Sequence, residues 1–301
     1  MLVGIDSYSF HRYFGEMYAE GLQIDPGTRW DMKDDFVPYA ISLEVDEVAL
    51  ETIFFPVFDD TYCAAIKDRL DEAGLRRVIG WGHPDGLHRG QDEGALEDLI
   101  RHIPRAEKVG ASIMRIVASS MLYVNEDHGP QIAASVKMLK KATRVAEDNG
   151  VTLAIENHID FTSEEILDIL DGVGSDNLKV NFDTGNALRL FEDPVEAARR
   201  LAPVTVATHT KDIISRRGGS PSDRFTFWPS CPAGEGLVDL LSVARVLDES
   251  GFTGSLAIEL DLLASPWNQV PEEENVAQSI AYLKSIRAQI EAEKVSGGLC
   301  A

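Results

Sequence analysis

The chain has 301 residues, with 28 Lys+Arg against 50 Asp+Glu and a formal net charge of −22; 44% of residues are hydrophobic and 26% charged. That balance is ordinary for a globular protein, and the length suits one large α/β unit or two medium domains. The acidic excess excludes a default nucleic-acid binder and disfavours anionic membranes, but a small anionic substrate stays open because local Arg and Lys act at short range.

The N-terminus, Met1-Leu2-Val3-Gly4-Ile5-Asp6, has no basic region ahead of a long apolar stretch, so no signal peptide is expected. No run approaches about 18 consecutive apolar residues, so no membrane span or membrane partner is expected. Cys63, Cys231 and Cys300 lack any metal-type spacing and fit buried or incidental thiols in a reducing cytoplasm.

Short β-branched runs alternate with helical patterns along the whole chain. The strand candidates are Leu2–Asp6, Glu47–Glu51, Arg77–Gly82, Ile113–Ala118, Thr152–Glu156, Leu178–Asp183, Val204–His209 and Ser255–Glu259. Consecutive apolar residues, as in Leu153-Ala154-Ile155, suit parallel strands covered on both faces. Helices are expected over Asp60–Ala73 and Ile132–Asn149, from a cap at Thr162, from Pro194, over Leu237–Glu249 and over Glu272–Lys294. Eight strand–helix units predict an α/β fold, a (β/α)8 TIM barrel, as one domain over 1–294. The turn after the first strand, Ser7-Tyr8-Ser9-Phe10, lacks the glycines of a doubly wound nucleotide-binding fold. An aromatic-rich segment over about 11–33 reads as a long loop, with a lid or a partner-contact role, and residues 213–236 as a second one. Residues 295–301 read as a flexible tail.

The later strands end in Glu156, Asp183, His209 and Glu259. In a barrel these ends converge at one mouth. Three carboxylates with one imidazole form an oxygen-rich set that suits a divalent ion, Mn²⁺ foremost and Mg²⁺ or Co²⁺ next, better than structural zinc. Without a cation three clustered carboxylates repel. An ion holding a carbonyl and a neighbouring hydroxyl stabilises the enediolate formed when an α-proton leaves, and a carboxylate beside it can take that proton.

The segments Leu153-Ala154-Ile155-Glu156-Asn157-His158, Asn181-Phe182-Asp183-Thr184-Gly185-Asn186, His209-Thr210-Lys211-Asp212, Gly234-Glu235-Gly236-Leu237-Val238-Asp239 and Gly254-Ser255-Leu256-Ala257-Ile258-Glu259 resemble the xylose-isomerase-like barrels, the sugar isomerase and epimerase superfamily. The resemblance covers the four later strands; the first half agrees through its strand pattern and Leu50-Glu51. It implies that Glu156, Asp183, His209 and Glu259 bind the metal, and that Glu156 and Glu259 also act as acid and base on opposite faces of a substrate. The chain departs from sugar epimerases at Asn186, where those enzymes carry His, and at His158, which is either a catalytic base or substrate contact, or a loop-capping residue. This combination resembles relatives acting on keto-sugars, including catalytic subunits of C-glycoside deglycosidases and related dehydratases or decarboxylases.

Further substrate-binding candidates at the mouth are Tyr8, Phe10, His11, Glu51, His83, Asn186, Lys211, Arg217 and Trp267, with Trp228 and Arg224 behind them. The expected function is a divalent-metal-dependent isomerase or epimerase of a sugar or keto-sugar, working through proton abstraction beside a carbonyl. The alternative is a lyase on an oxo-sugar; a non-catalytic sugar-binding barrel ranks lower. The expected partner is a small sugar or sugar derivative, with a homo-oligomer or a second subunit also open, in the cytoplasm.

Overall fold

A computed structural model describes residues 1–18, 22–83 and 85–297. It contains an eight-stranded parallel sheet built from β1 (Leu2–Asp6), β2 (Glu47–Glu51), β3 (Arg76–Gly80), β4 (Ile113–Ile116), β5 (Thr152–Glu156), β6 (Leu178–Asp183), β7 (Thr205–His209) and β10 (Ser255–Ile258). Two short antiparallel strands, β8 (Asp212–Ile213) and β9 (Ser230–Cys231), lie between β7 and β10 in the chain. The strand order β10-β1-β2-β3-β4-β5-β6-β7 leaves one seam, between β7 and β10. A bridge between Thr210 and Ile258 spans it, with Thr210 N–H donating to Ala257 at 2.7 Å and Thr208 Oγ1 donating to Ser255 at 2.8 Å. The fold is the expected (β/α)8 barrel.

The helices are α1 (His11–Phe14), α2 (Val37–Ser42), α3 (Asp60–Glu72), α4 (Glu93–His102), α5 (His128–Asp148), α6 (Ser163–Val173), α7 (Thr184–Arg189), α8 (Pro194–Leu201), α9 (Leu240–Glu249) and α10 (Glu272–Gly297). Hydrophobic residues at helical spacing turn toward the strands; Ile66 and Leu70 of α3, Leu139 and Ala142 of α5, and Ile166 and Ile169 of α6 are fully buried. Inside the barrel, Ala49, Val78 and Ala207 form a separate small cluster. Ala49 and Val78 are neighbours on β2 and β3, and Ala207 of β7 meets them across the interior. The helix α10 continues through Val295–Gly297, the start of the expected tail; residues 298–301 lie outside the described residues.

The 11–33 segment is shorter as a loop than its composition suggests. After β1 the chain makes a 3-10 turn over Ser7–Phe10, forms α1, stops at Gly15 with φ 91°, and re-enters helical structure at Met32. Its aromatic residues mostly pack on one another: Phe10 stacks on Trp30 with centroids 4.5 Å apart, and Phe14 on Phe54 at 4.4 Å. Residues 19–21 lie outside the described residues.

His11 belongs to this packing. Its Nδ1 faces the Tyr8 carbonyl at 2.9 Å and its Nε2 faces Gln23 Nε2 at 2.7 Å. Burial pushes its pKa down from 6.5 to about 4, so the folded ring stays neutral where an unfolded one takes a proton. The unfolded state therefore binds more protons between those values, and stability falls as pH drops from about 6.5 to about 4. His11→Gln is expected to remove up to about 3 kcal/mol of that loss, read as a flatter dependence of urea unfolding free energy on pH.

The N-terminus of α6 carries a reciprocal cap. Thr162 Oγ1 accepts the Glu165 N–H, and Glu165 Oε2 accepts the Thr162 N–H at 2.8 Å. Thr162→Ala is expected to cost about 1 kcal/mol in the same unfolding measurement.

Candidate metal centre and active site

Parallel strands in a barrel all deliver their last residues to one rim. Glu156, Asp183 and His209 are the last residues of β5, β6 and β7, and Glu259 follows β10 directly. All four are buried, and one ligand atom from each lies within 4.8 Å of the others.

Local hydrogen bonds fix each group. Asp183 Oδ1 accepts the N–H groups of Gly185 and Asn186, both at 2.8 Å, and so caps α7. The Asn157 side chain accepts the Asp183 N–H and donates to its carbonyl, both at 2.8 Å, which ties the ends of β5 and β6. Thr184 Oγ1 donates to the Lys211 carbonyl at 2.6 Å and accepts its N–H at 2.9 Å, which ties β6 to the chain after β7. Asn186 Nδ2 donates to Glu156 Oε1 at 3.1 Å. What remains points inward: Asp183 Oδ2, His209 Nδ1 and Glu259 Oε2 are buried atoms without a hydrogen-bond partner.

Those orphaned atoms, with Glu156 beside them, fit a divalent cation. Nature rarely leaves several buried polar atoms unpaired side by side, and three oxygens with one imidazole nitrogen form a hard donor set. Protein charges provide part of the compensation. Lys211 Nζ lies 3.2 Å from Asp183 Oδ2, 3.4 Å from Glu259 Oε2 and 3.1 Å from Asp261 Oδ2. His209 Nδ1 is 2.7 Å from Glu259 Oε2 and 3.4 Å from Glu156 Oε2.

The titrations follow from this crowding. Burial opposes a charged His209, yet Glu259 and Glu156 hold its pKa well above 6.5. Burial also opposes a charged Glu259, but His209 and Lys211 bring it down to about 2. Glu156 is held low against its own burial by His209 and Arg115. Burial raises Asp183 to about 6, with Lys211 opposing and the other two carboxylates adding to the rise.

A cavity of about 550 Å³ opens above this group. Of the residues singled out from sequence, Tyr8, Glu51, His83, Glu156, His158, Lys211 and Glu259 line it. Asp183 and His209 are buried behind that lining. Phe10 and His11 are consumed in the aromatic packing, and Asn186 stands behind Glu156. Arg217 is exposed and Trp267 half-buried, and neither reaches the cavity. The Trp228 carbonyl takes the Arg189 guanidinium at 2.8 Å, and Arg224 donates to the Arg189 carbonyl at 2.8 Å.

His158 carries a buried Nδ1 without a partner, and burial lowers its pKa, with Glu156 opposing and Arg115 assisting. Glu51, unlike Glu156 and Glu259, is displaced upward. Burial raises it to about 8 although Arg115 donates to its Oε1 at 2.6 Å. Its side chain needs the bare backbone of β3: a Cβ at Gly80 would lie 2.0 Å from Glu51 Oε1.

Sequence reasoning missed several contributors. Arg115 was visible as a lone charge in the apolar strand Ile113–Ile116. Asp6 ends β1 and obeyed the same strand-end rule that found the other four. Asp261, held by Arg189 at 2.6 Å and by Ser230, gave no local signal, because its partners are distant in sequence. Glu16, Tyr18 and Phe225 reach the cavity from the two loops, and Tyr18 packs edge-on against Phe225 at 4.9 Å. Apolar lining comes from Ile53, Val117, Met121, Leu122 and Ile159.

No helix among the described residues is long and apolar enough to cross a membrane. The C-glycoside deglycosidase alpha subunit of Microbacterium trichothecenolyticum is 31% identical over 211 residues, covering 65% of this chain and 50% of that protein. The inosose dehydratase of Clostridium beijerinckii is 24% identical over 225 residues, covering 65% of this chain and 72% of that protein. The chain spans half or less of the length of three of the curated relatives that it matches. In fold it resembles the D-psicose 3-epimerase of Clostridium cellulolyticum H10, solved with D-tagatose, at a TM-score of 0.71 and 17% identity over 96% of this chain and 99% of that one. The model of the xylose isomerase-like TIM barrels matches residues 39–286, so the chain belongs to that family.

Proposed function

We propose that this protein is a divalent-metal-dependent isomerase or epimerase of a sugar or keto-sugar, acting by removal of a proton beside a carbonyl. One observation carries the reading: three buried ligand atoms that make no hydrogen bond, Asp183 Oδ2, His209 Nδ1 and Glu259 Oε2, converge with Glu156 beside a cavity of sugar-accommodating size that Glu156 and Glu259 line. Glu156, Asp183, His209 and Glu259 would hold the ion. A bound divalent ion would polarise the carbonyl and stabilise negative charge on its oxygen.

The chain's own groups supply the rest. Glu156 and Glu259 are held ionised and line the cavity, so each can accept a proton from carbon. They project from separate strands, which suits removal from one face of the substrate and return on the other. Asn186 holds Glu156 Oε1 and leaves Oε2 for chemistry. Lys211 sets the orientation of Asp183 and Glu259 while lining the cavity itself. Tyr8, Glu51 and His83 offer polar contacts to substrate hydroxyls. Mn²⁺ is the expected ion, with Mg²⁺ next, because the donor set is mostly carboxylate. The expected ligand is a small sugar derivative, with a second subunit or a second copy of the chain as the open assembly question.

A second reading, a lyase on an oxo-sugar, draws on His158. Its neutral imidazole lines the cavity two residues after Glu156, a suitable position for taking the proton beside a keto group before the leaving group departs. The apolar lining of Ile53, Met121 and Leu122 suits a non-sugar leaving group.

Incubation with a ketose and oxo-sugar panel in heavy water, followed by NMR, separates the two. Epimerisation or isomerisation gives carbon-bound deuterium and a new sugar; the lyase gives a smaller fragment, water or carbon dioxide. Chelation is expected to abolish turnover and Mn²⁺ to restore it. Glu156→Gln and Glu259→Gln are each expected to slow exchange by at least about 100-fold. Activity retained by both variants would overturn the reading.

A further inference from the structure

Asp6 ends β1 and is fully buried. Its two oxygens have separate tasks. Oδ1 accepts the Tyr8 N–H at 2.6 Å and caps the turn after the strand. Oδ2 makes no hydrogen bond and has its ion-pair contact with His209, 3.1 Å from Nε2. The other ring nitrogen of His209 faces the carboxylates of Glu259 and Glu156. Asp6 itself does not line the cavity.

A neutral imidazole has one N–H and one bare nitrogen, and only the bare one can take an ion. Glu259 and Glu156 face Nδ1, but with an ion held between them and that nitrogen, Asp6 at Nε2 is the carboxylate left to accept the ring proton, and Nδ1 would be bare. We propose that Asp6 is a positioning residue, which fixes His209 as the Nε2–H tautomer and aims Nδ1 at the group formed by Glu156, Asp183 and Glu259. Ion affinity then depends on a residue that touches neither ion nor substrate. This inference rests on the reading of that group as a divalent-ion site.

A rival arrangement exists. Asp6, Glu51 and His209 also offer ligand atoms within 4.8 Å of one another, as for a second ion. Two features oppose it. The Arg115 guanidinium already pairs with Glu51 at 2.6 Å, and its charge repels a cation at that spot. His209 would also have to lose both ring protons to serve two ions.

The test is Mn²⁺ titration by calorimetry into ion-free protein, wild type against Asp6→Asn. Asparagine keeps the Oδ1 acceptor and replaces Oδ2 with an N–H₂ donor, which favours a proton on Nδ1. The expected result is one Mn²⁺ per wild-type chain and affinity lowered about 10–100-fold in the variant. Circular dichroism checks that the variant is folded. A second measurement needs no variant: ¹⁵N NMR of the Mg²⁺-saturated wild type is expected to show His209 protonated at Nε2 and bare at Nδ1. A proton on Nδ1 in that spectrum, or unchanged Mn²⁺ affinity in the variant, overturns the inference while leaving the ion site standing. Two Mn²⁺ per wild-type chain, falling to one in Asp6→Asn, overturns it by making Asp6 a ligand. No Mn²⁺ binding to wild type removes the metal-dependent reading and this inference with it.

Discussion

Charge compensation among buried groups at the barrel mouth governs the rest of the structure. Glu156, Asp183, Glu259 and Asp261 are four buried carboxylates in one region, faced by Lys211, Arg189, Arg115 and His209. Each buried ion loses several kcal/mol of hydration, so an unpaired member would be strongly destabilising. The pairing is complete around Asp261, where Arg189 grips both oxygens and Ser230 adds a further donor. It is incomplete around Asp183, His209 and Glu259, where buried atoms have ion-pair contacts but make no hydrogen bond. That contrast, between a saturated pair and an unsaturated neighbour, separates a structural ion pair from a site with capacity for a ligand.

The loops at the mouth are organised to keep this arrangement rigid. Asp212 accepts N–H groups from Gly234, Gly236 and Val238 at 2.9 to 3.1 Å, which anchors the return of the long 213–236 loop. Gly236 is required there, since a Cβ would lie 2.0 Å from Asp212 Oδ1. The same loop carries Phe225 to Tyr18 and brings the Trp228 carbonyl to Arg189. Polar anchoring below and aromatic contact above thus tie two loops far apart in sequence to one cavity. A site on such supported elements holds its geometry better than one on free loops.

The early part of the chain shows where local pattern is ambiguous. Phe10, Tyr13, Phe14 and Trp30 look from composition like an exposed aromatic surface, but they stack on one another and on Phe36 and Tyr39. Aromatic content does not reveal whether a ring faces a ligand, a partner or another ring. The candidates that failed to reach the cavity, Phe10, His11 and Trp267, were chosen on residue type and proximity to a strand end. Those that reached it, Glu51, His83 and His158, follow strand ends more closely.

Strand periodicity is a local property, so eight short apolar runs separated by helical stretches were enough to define the barrel. Barrel topology then sends every strand end to one rim, which is why Glu156, Asp183, His209 and Glu259 could be grouped from sequence alone. The contributions of Asp6, Arg115, Arg189 and Asp261 depended on tertiary structure. Each acts through a partner many residues away, across strands or from a loop, and contact between such residues has no periodic signature. Sequence thus determined which ligand types gather at the mouth. Only the folded chain decided which of their atoms are hydrogen-bonded and which are left toward one another.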